Sequence, residues 1–152
     1  MENMEQRYKP KYFAVHELLP PKMYTAEMYT NEDARERGYL YFDEKLLITI
    51  DVIREIIGKP LICNTWYMDG NRQYSGFREQ NCPIGSKTSQ HKLGKAVDLV
   101  CHYYTGEEMR QMIIANQDKL PFPIRMEDGV NWLHLDTKDM DYKGKKIYLF
   151  KA

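Results

Sequence analysis

Apolar positions follow two rhythms along this chain. Between Asp43 and Ile57, Leu46, Leu47, Ile50, Ile53 and Ile57 recur three and four residues apart, which gives a helix one apolar face. Gly58 and Pro60 follow in the order that ends a helix. Thr105-Gly106-Glu107-Glu108 has the form of a capping box opening a second helix, whose buried face is expected at Met109, Met112 and Ile113. The other rhythm has period two. Residues 96–103 read as a strand with Ala96, Asp98, Val100 and His102 on one face and Val97, Leu99 and Cys101 on the other. Leu61 to Asn64 reads as a short buried strand. Ile124–Glu127 and Trp132–Asp136 read as a hairpin around Asp128-Gly129, and Ile147–Phe150 as a last strand.

The rest of the pattern is irregular. The first forty residues are polar, tyrosine-rich and broken by Pro10, Pro20 and Pro21, and are expected to wrap over the domain without adding a core. Residues 69–94 are rich in Gly, Asn, Ser and Pro and are expected to form a long loop, a class of segment that commonly carries function. The expected fold class is α+β: a small, mainly antiparallel sheet flanked by helices, in one domain over residues 1–152.

Composition narrows the partners. The 22 basic and 22 acidic residues cancel, so net charge favours neither nucleic acid nor an anionic membrane; the basic stretch Lys143–Lys146 reads as a solvated end. No apolar run approaches the ~20 residues of a membrane span, and Met1 to Lys11 lacks the apolar core of a secretory signal. The expectation is cytoplasmic synthesis. Cys63, Cys82 and Cys101 form an odd set without a C-x-x-C pair, which argues against a disulfide framework and a cysteine-rich zinc site. Cys63 and Cys101 are expected to be buried; Cys82, in a turn-rich segment, has room to be exposed.

Chemistry concentrates in Ser89-Gln90-His91-Lys92-Leu93-Gly94-Lys95-Ala96-Val97-Asp98 and in His134. Two imidazoles and a carboxylate are a ligand set suited to one zinc ion, and three protein ligands leave a fourth position open, as catalytic sites do. Gly94 permits a sharp turn into the strand, and Ala96 is expected to keep the Asp98 face open. A lone histidine is more often a packed or surface residue than a ligand. Asp98 in an apolar strand, however, calls for a counter-charge. Asp136 shares a strand face with His134 and is expected to orient it from behind. Trp132, on the same face, either lines a substrate groove or packs.

Ser89-x-His91-x-x-Gly94-x-Ala96-x-Asp98 resembles the S-x-H-x-x-G-x-A-x-D signature of the M15 family of metallopeptidases, which includes D-alanyl-D-alanine peptidases and many phage endolysins. Five fixed positions coincide by chance in roughly one chain of this length in ten thousand. Phe13-Ala14-Val15-His16-Glu17-Leu18, Ser75-Gly76-Phe77-Arg78 and Trp132-Leu133-His134-Leu135-Asp136 resemble further elements of the family in the same order. The resemblance implies a hedgehog/DD-peptidase fold, with His91, Asp98 and His134 on zinc and Ser89 at the substrate. It also implies Arg78 as the cation that holds and polarises the substrate. For the general base, the family's histidine variant is absent, since Trp132 stands at that place. Glu127, across the turn from His134, is the candidate, with a surface hairpin residue as the alternative.

The activity so implied is hydrolysis of amide bonds in peptidoglycan stem peptides, as a D,D-carboxypeptidase or an L,D-type endopeptidase. An enzyme without an export signal fits a phage lysin that reaches the wall after release or as a virion component, with virion proteins as further partners. A different class stands beside it: an inactive module that keeps the fold, with or without the metal, for binding or structure.

Overall fold

The computed structural model describes residues 7–152; Met1 to Gln6, and with them the start of the expected wrapping segment and polar N-terminus, lie outside the described residues. Four helices, α1 (Val15–Leu18), α2 (Glu32–Arg37), α3 (Glu44–Ile57) and α4 (Gly106–Ala115), are joined by short 3₁₀ turns. Four strands follow the central helix: β1 (Ala96–Leu99), β2 (Ile124–Glu127), β3 (Leu133–Asp136) and β4 (Ile147–Phe150). The protein is therefore α+β.

The longest helix forms where the apolar spacing places it. Asp43 caps α3 by accepting the Lys45 N–H, and Gly58 closes it by donating to the Arg54 carbonyl. Leu46, Leu47, Ile50, Ile53 and Ile57 are buried, and withdrawing each such side chain from water contributes ~1.5–3 kcal/mol. The N-terminal segment adds Phe13, Val15, Leu18, Leu19, Met28 and Ala34 to the same buried cluster. Asp51, on α3, ties it down. The buried Asp51 carboxylate accepts the Lys11 N–H (2.6 Å), the Tyr12 N–H (3.1 Å) and the Tyr8 hydroxyl.

The sheet order is β1-β3-β2-β4. β3 runs antiparallel to both β1 and β2, whereas β4 joins β2 in parallel, so the sheet is mixed. Val97, Leu99, Ile124, Met126, Leu133 and Leu135 are buried in the core. The opposite face carries polar residues in two rows. One row pairs Ala96 with Asp136 and Asp136 with Arg125. The other pairs Asp98 with His134; the β2–β3 register, carried one position further, sets Glu127 beside His134, and β4 sets Phe150 beside Glu127.

Several expected boundaries move, each because a backbone group finds another partner. The strand expected at Leu61–Asn64 reduces to one bridge between Ile62 and Val100. Arg72 takes the Cys63 carbonyl, and the Asn64 N–H goes to the Glu17 carbonyl. β1 stops at Leu99, and His102 and Tyr103 are exposed. β3 starts at Leu133 because the Trp132 carbonyl accepts from Arg110. Arg110, buried on α4, also reaches the Val130 carbonyl and so pins the β2–β3 loop; Met112, expected in the core, is only partly buried. The Thr105–Glu108 capping box forms as expected.

Cys63 is buried. Cys101 is only half-buried, and Cys82 is buried, with its carbonyl accepting from the Lys92 ammonium.

Asp43 has a second role. Its Oδ2 accepts from Lys95 Nζ and Thr137 Oγ1, both at 3.1 Å, while its N–H donates to the Gly94 carbonyl at 2.9 Å. The start of α3 is thereby joined to the chain entering β1 and to the chain leaving β3.

Candidate metal centre

His91 sits in a 3₁₀ turn, Gln90–Leu93, capped by Ser89, whose hydroxyl accepts the His91 N–H at 3.3 Å. Gly94 ends the turn at φ +69°, and a Cβ there would lie 2.0 Å from the Tyr41 carbonyl oxygen. Backbone conformation and space both exclude a larger residue. The chain then enters β1, which carries Asp98 next to His134 on β3. Ligands from a loop and from two paired strands thus converge. One donor atom from each of His91, Asp98 and His134 lies within 4.8 Å of the others, a cluster that can hold a metal ion.

The hydrogen bonds fix which atoms are available. His91 Nδ1 lies 2.8 Å from the Gly76 carbonyl, which only accepts, so Nδ1 donates there and Nε2 is the ring atom left to face Asp98. That Nε2 is 3.4 Å from Asp98 Oδ1. His134 Nδ1 is 2.8 Å from the same oxygen, and its Nε2 is 2.8 Å from Asp136 Oδ2. Asp136 is wholly buried and is also clamped by Arg125 through Nε (2.8 Å) and Nη2 (2.9 Å), with the Lys138 N–H on Oδ1. Each histidine therefore has one nitrogen facing Asp98 and the other held from behind, the arrangement that orients metal-binding imidazoles. Bonds of ~2.0–2.1 Å in a tetrahedral zinc site set ligand atoms about 3.3 Å apart, and the two histidine nitrogens lie 3.4 and 2.8 Å from Asp98 Oδ1. The residues fit the ion.

Charge balance in this cluster is tight. Burial alone would raise the Asp98 carboxyl, but hydrogen bonds from His134 and His91 and the charges of both hold it well below the usual carboxylate range. Burial alone would lower His134; hydrogen bonds to Asp136 and Asp98 and both negative charges push it up to about 9. Asp136 is lowered against its burial by His134 and Arg125. A proton and a metal ion accordingly compete for His134 Nδ1.

A cavity of about 420 Å³ opens over the cluster, and all eight site residues expected from the sequence line it: Arg78, Ser89, His91, Asp98, Glu127, Trp132, His134 and Asp136. Arg78 Nη2 approaches Asp98 Oδ2 at 3.4 Å while its Nε donates to the Tyr74 carbonyl at 2.7 Å; burial lowers its pKa. Gly85, at φ +81°, passes so close that a Cβ there would meet Arg78 Nη1 at 2.7 Å. Glu127 is half-buried, and its carboxylate has no hydrogen-bond partner among the described residues, so it is open to a water or substrate proton. Ala96 is buried opposite Asp136 and does not line the cavity, contrary to the expectation that it keeps the Asp98 face open.

Two contributors went unread in the sequence. Arg125 clamps Asp136, and its guanidinium lies 3.9 Å from the Phe150 ring centroid. Phe150 also meets His134 edge-on, with centroids 5.6 Å apart. Arg125 was legible in principle, since it alternates with Glu127 in β2. Phe150 carried no signal, because its place depends on the parallel pairing of β4.

No family model, curated protein or solved structure matches the chain. The likeness to the M15 family thus rests on the motif residues of the sequence alone.

Proposed function

We propose that the chain is a zinc-dependent peptidase of the M15 type, with the hedgehog/DD-peptidase fold, that hydrolyses amide bonds in peptidoglycan stem peptides as a phage lysin or virion-associated enzyme. One observation carries the reading: His91, Asp98 and His134 converge with their outer nitrogens already anchored, in a cavity shared with Arg78 and an unpartnered Glu127. Zinc held there supplies a Lewis acid that acidifies a water and polarises an amide carbonyl.

The chain's own groups do the rest. His91 Nε2, His134 Nδ1 and an Asp98 oxygen would hold the ion. Arg78, whose contact with Asp98 is long at 3.4 Å, donates a hydrogen bond to the substrate carbonyl oxygen as negative charge develops on it. Glu127 takes the proton of the attacking water on its carboxylate and returns it to the leaving amine. Trp132 and Phe150 wall the cavity and exclude bulk water, and Ser89 offers its hydroxyl to the peptide.

A second reading, an inactive module that binds or builds, draws on one feature: Trp132 stands where some members of the M15 family carry a catalytic histidine. Hydrolysis of purified peptidoglycan by the wild type and by Glu127→Ala, with zinc content measured in both, separates the two. Release of peptide fragments by the wild type alone, at equal zinc content, supports the peptidase. Zinc binding without cleavage supports the module, and absence of zinc binding sinks both the metal and the mechanism.

A further inference from the structure

A second cavity, of about 280 Å³, shares no lining residue with the metal centre and is lined by rings alone: His16, Tyr24, Tyr29, Trp66 and Tyr67. Three ring pairs meet nearly at right angles: His16 and Tyr24 at 86°, Tyr24 and Tyr29 at 87°, and Trp66 and Tyr67 at 88°; His16 and Tyr67 cross at 68° and Tyr24 and Trp66 at 55°, with centroids 4.4–6.0 Å apart. Such edge-to-face contacts stabilise an aromatic cluster, and a cluster formed only for packing would close on itself. This one keeps an open pocket, and Tyr29 is 66% exposed at its rim.

The polar edges divide into two kinds. Trp66 Nε1 donates to the Leu19 carbonyl at 2.9 Å and the Tyr24 hydroxyl to the Met28 carbonyl at 3.2 Å, which locks both rings to the backbone. The hydroxyls of Tyr29 and Tyr67 and the ring nitrogens of His16 make no hydrogen bond among the described residues. Two rigid aromatic plates therefore stand beside three free polar handles. Charge narrows the ligand further. Among the described residues the pocket has no charged lining residue; behind it, burial and the Arg35 charge lower the His16 imidazole, while burial and the Glu17 charge raise the Tyr67 hydroxyl. The two outer charges are of opposite sign, so the pocket favours neither an organic cation nor an anion. A neutral ligand with apolar faces and a hydroxylated edge remains, small enough for a cavity below the ~300–1,000 Å³ of drug-sized sites.

We infer that this pocket is a saccharide site that stacks a neutral, N-acetylated amino-sugar unit of a glycan on Trp66 and Tyr24 and hydrogen-bonds its edge through Tyr29, Tyr67 and His16. Resting on the peptidase reading, it tethers the enzyme to the glycan strand whose stem peptides the metal groove cuts.

The test uses tetra-N-acetylchitotetraose as the probe, with Trp132→Phe as the background so that only Trp66 reports by fluorescence. A saturable change in the millimolar range is expected, weakened about 2- to 10-fold by Tyr29→Ala, the lost contribution of one hydrogen bond. No change at tens of millimolar overturns the site. Saturation by tetramethylammonium chloride but not by the sugar replaces it with a cation cage. In a second assay, Tyr29→Ala in the otherwise wild-type chain is expected to lower both pelleting with peptidoglycan and cleavage of intact wall, while hydrolysis of a soluble stem peptide is unchanged. Equal losses on both substrates overturn the tether. A wild type that binds the sugar but cleaves neither substrate removes the peptidase reading and leaves the saccharide site standing.

Discussion

The two halves of the metal centre are held in different ways. Asp98, His134, Asp136, Arg125 and Glu127 stand on three paired strands, where register alone sets their spacing. Arg78, Ser89 and His91 stand on the long irregular segment 69–94, positioned by a few hydrogen bonds that strand register does not supply: His91 Nδ1 to the Gly76 carbonyl, the Arg78 N–H to the His91 carbonyl and its Nε to the Tyr74 carbonyl, and the Asp98 N–H to the Ser75 carbonyl. Strand positions tolerate the loss of one contact because neighbouring pairs keep the register. Loop positions depend on each contact, and on glycines at the places where the chain turns or is crowded. The sheet half carries Asp98, His134 and Glu127, and the loop half carries Arg78, Ser89 and His91.

Substitutions in each half put this contrast at risk. The largest effect is expected from Glu127→Gln, which should lower kcat by ~10²–10⁴-fold with zinc content unchanged, since it removes the base and leaves the ligands. Unchanged turnover would take Glu127 out of the mechanism. Arg125→Met should weaken zinc binding ~10–100-fold, as loss of an outer partner does, and leave the buried Asp136 short of a counter-charge. Metal competition titration reads the first effect and urea unfolding the second. Arg125→Lys should recover part of both, because one ammonium replaces only one of two parallel hydrogen bonds. In the loop half, Gly94→Ala should destabilise the protein by ~1–3 kcal/mol from left-handed strain, and by more if Tyr41 cannot yield. Zinc affinity should fall with it, since His91 lies on that turn. A variant with wild-type affinity would show that the turn does not position the ligand.

The smallest expected effect is on pH dependence after metal removal. The folded pKa of His134, about 9, lies above its ordinary 6.5. Its ion pairs therefore stabilise the metal-free protein fully below about pH 6.5, and that stability fades as pH rises through about 9. The size is at most about 3 kcal/mol at ~1.4 kcal/mol per pKa unit, and Asp98 and Asp136 share in the same interaction. Urea midpoints of EDTA-treated protein at pH 6 and pH 10 should differ in that direction, and His134→Gln should flatten the difference. Saturating zinc should also reduce it, since the ion replaces the proton on Nδ1.

Much of the site was legible because its residues are close in sequence to strong signals. The ligand triad follows from a ten-residue motif and one strand, and Asp136 from strand alternation with His134. The helix α3 follows from five apolar positions and its glycine stop. What escaped depends on distant pairing. The parallel docking of β4, which brings Phe150 to His134, leaves no local trace, and the strand expected at Leu61–Asn64 dissolves because Arg72 and Glu17 claim its backbone groups. Buried Arg110 was likewise unreadable, since its partners are the carbonyls of Val130 and Trp132, twenty residues and more along the chain.

Asp43 gives the molecule a property that no single strand or turn has. One carboxylate and its own amide connect the first turn of α3, the Gly94 corner, Lys95 and Thr137. Heat cannot loosen the chain entering β1 or the chain leaving β3 without also uncapping the central helix. Unfolding of the metal groove is thereby coupled to unfolding of the core, and an ion bound there should raise the melting temperature of the whole protein in one transition.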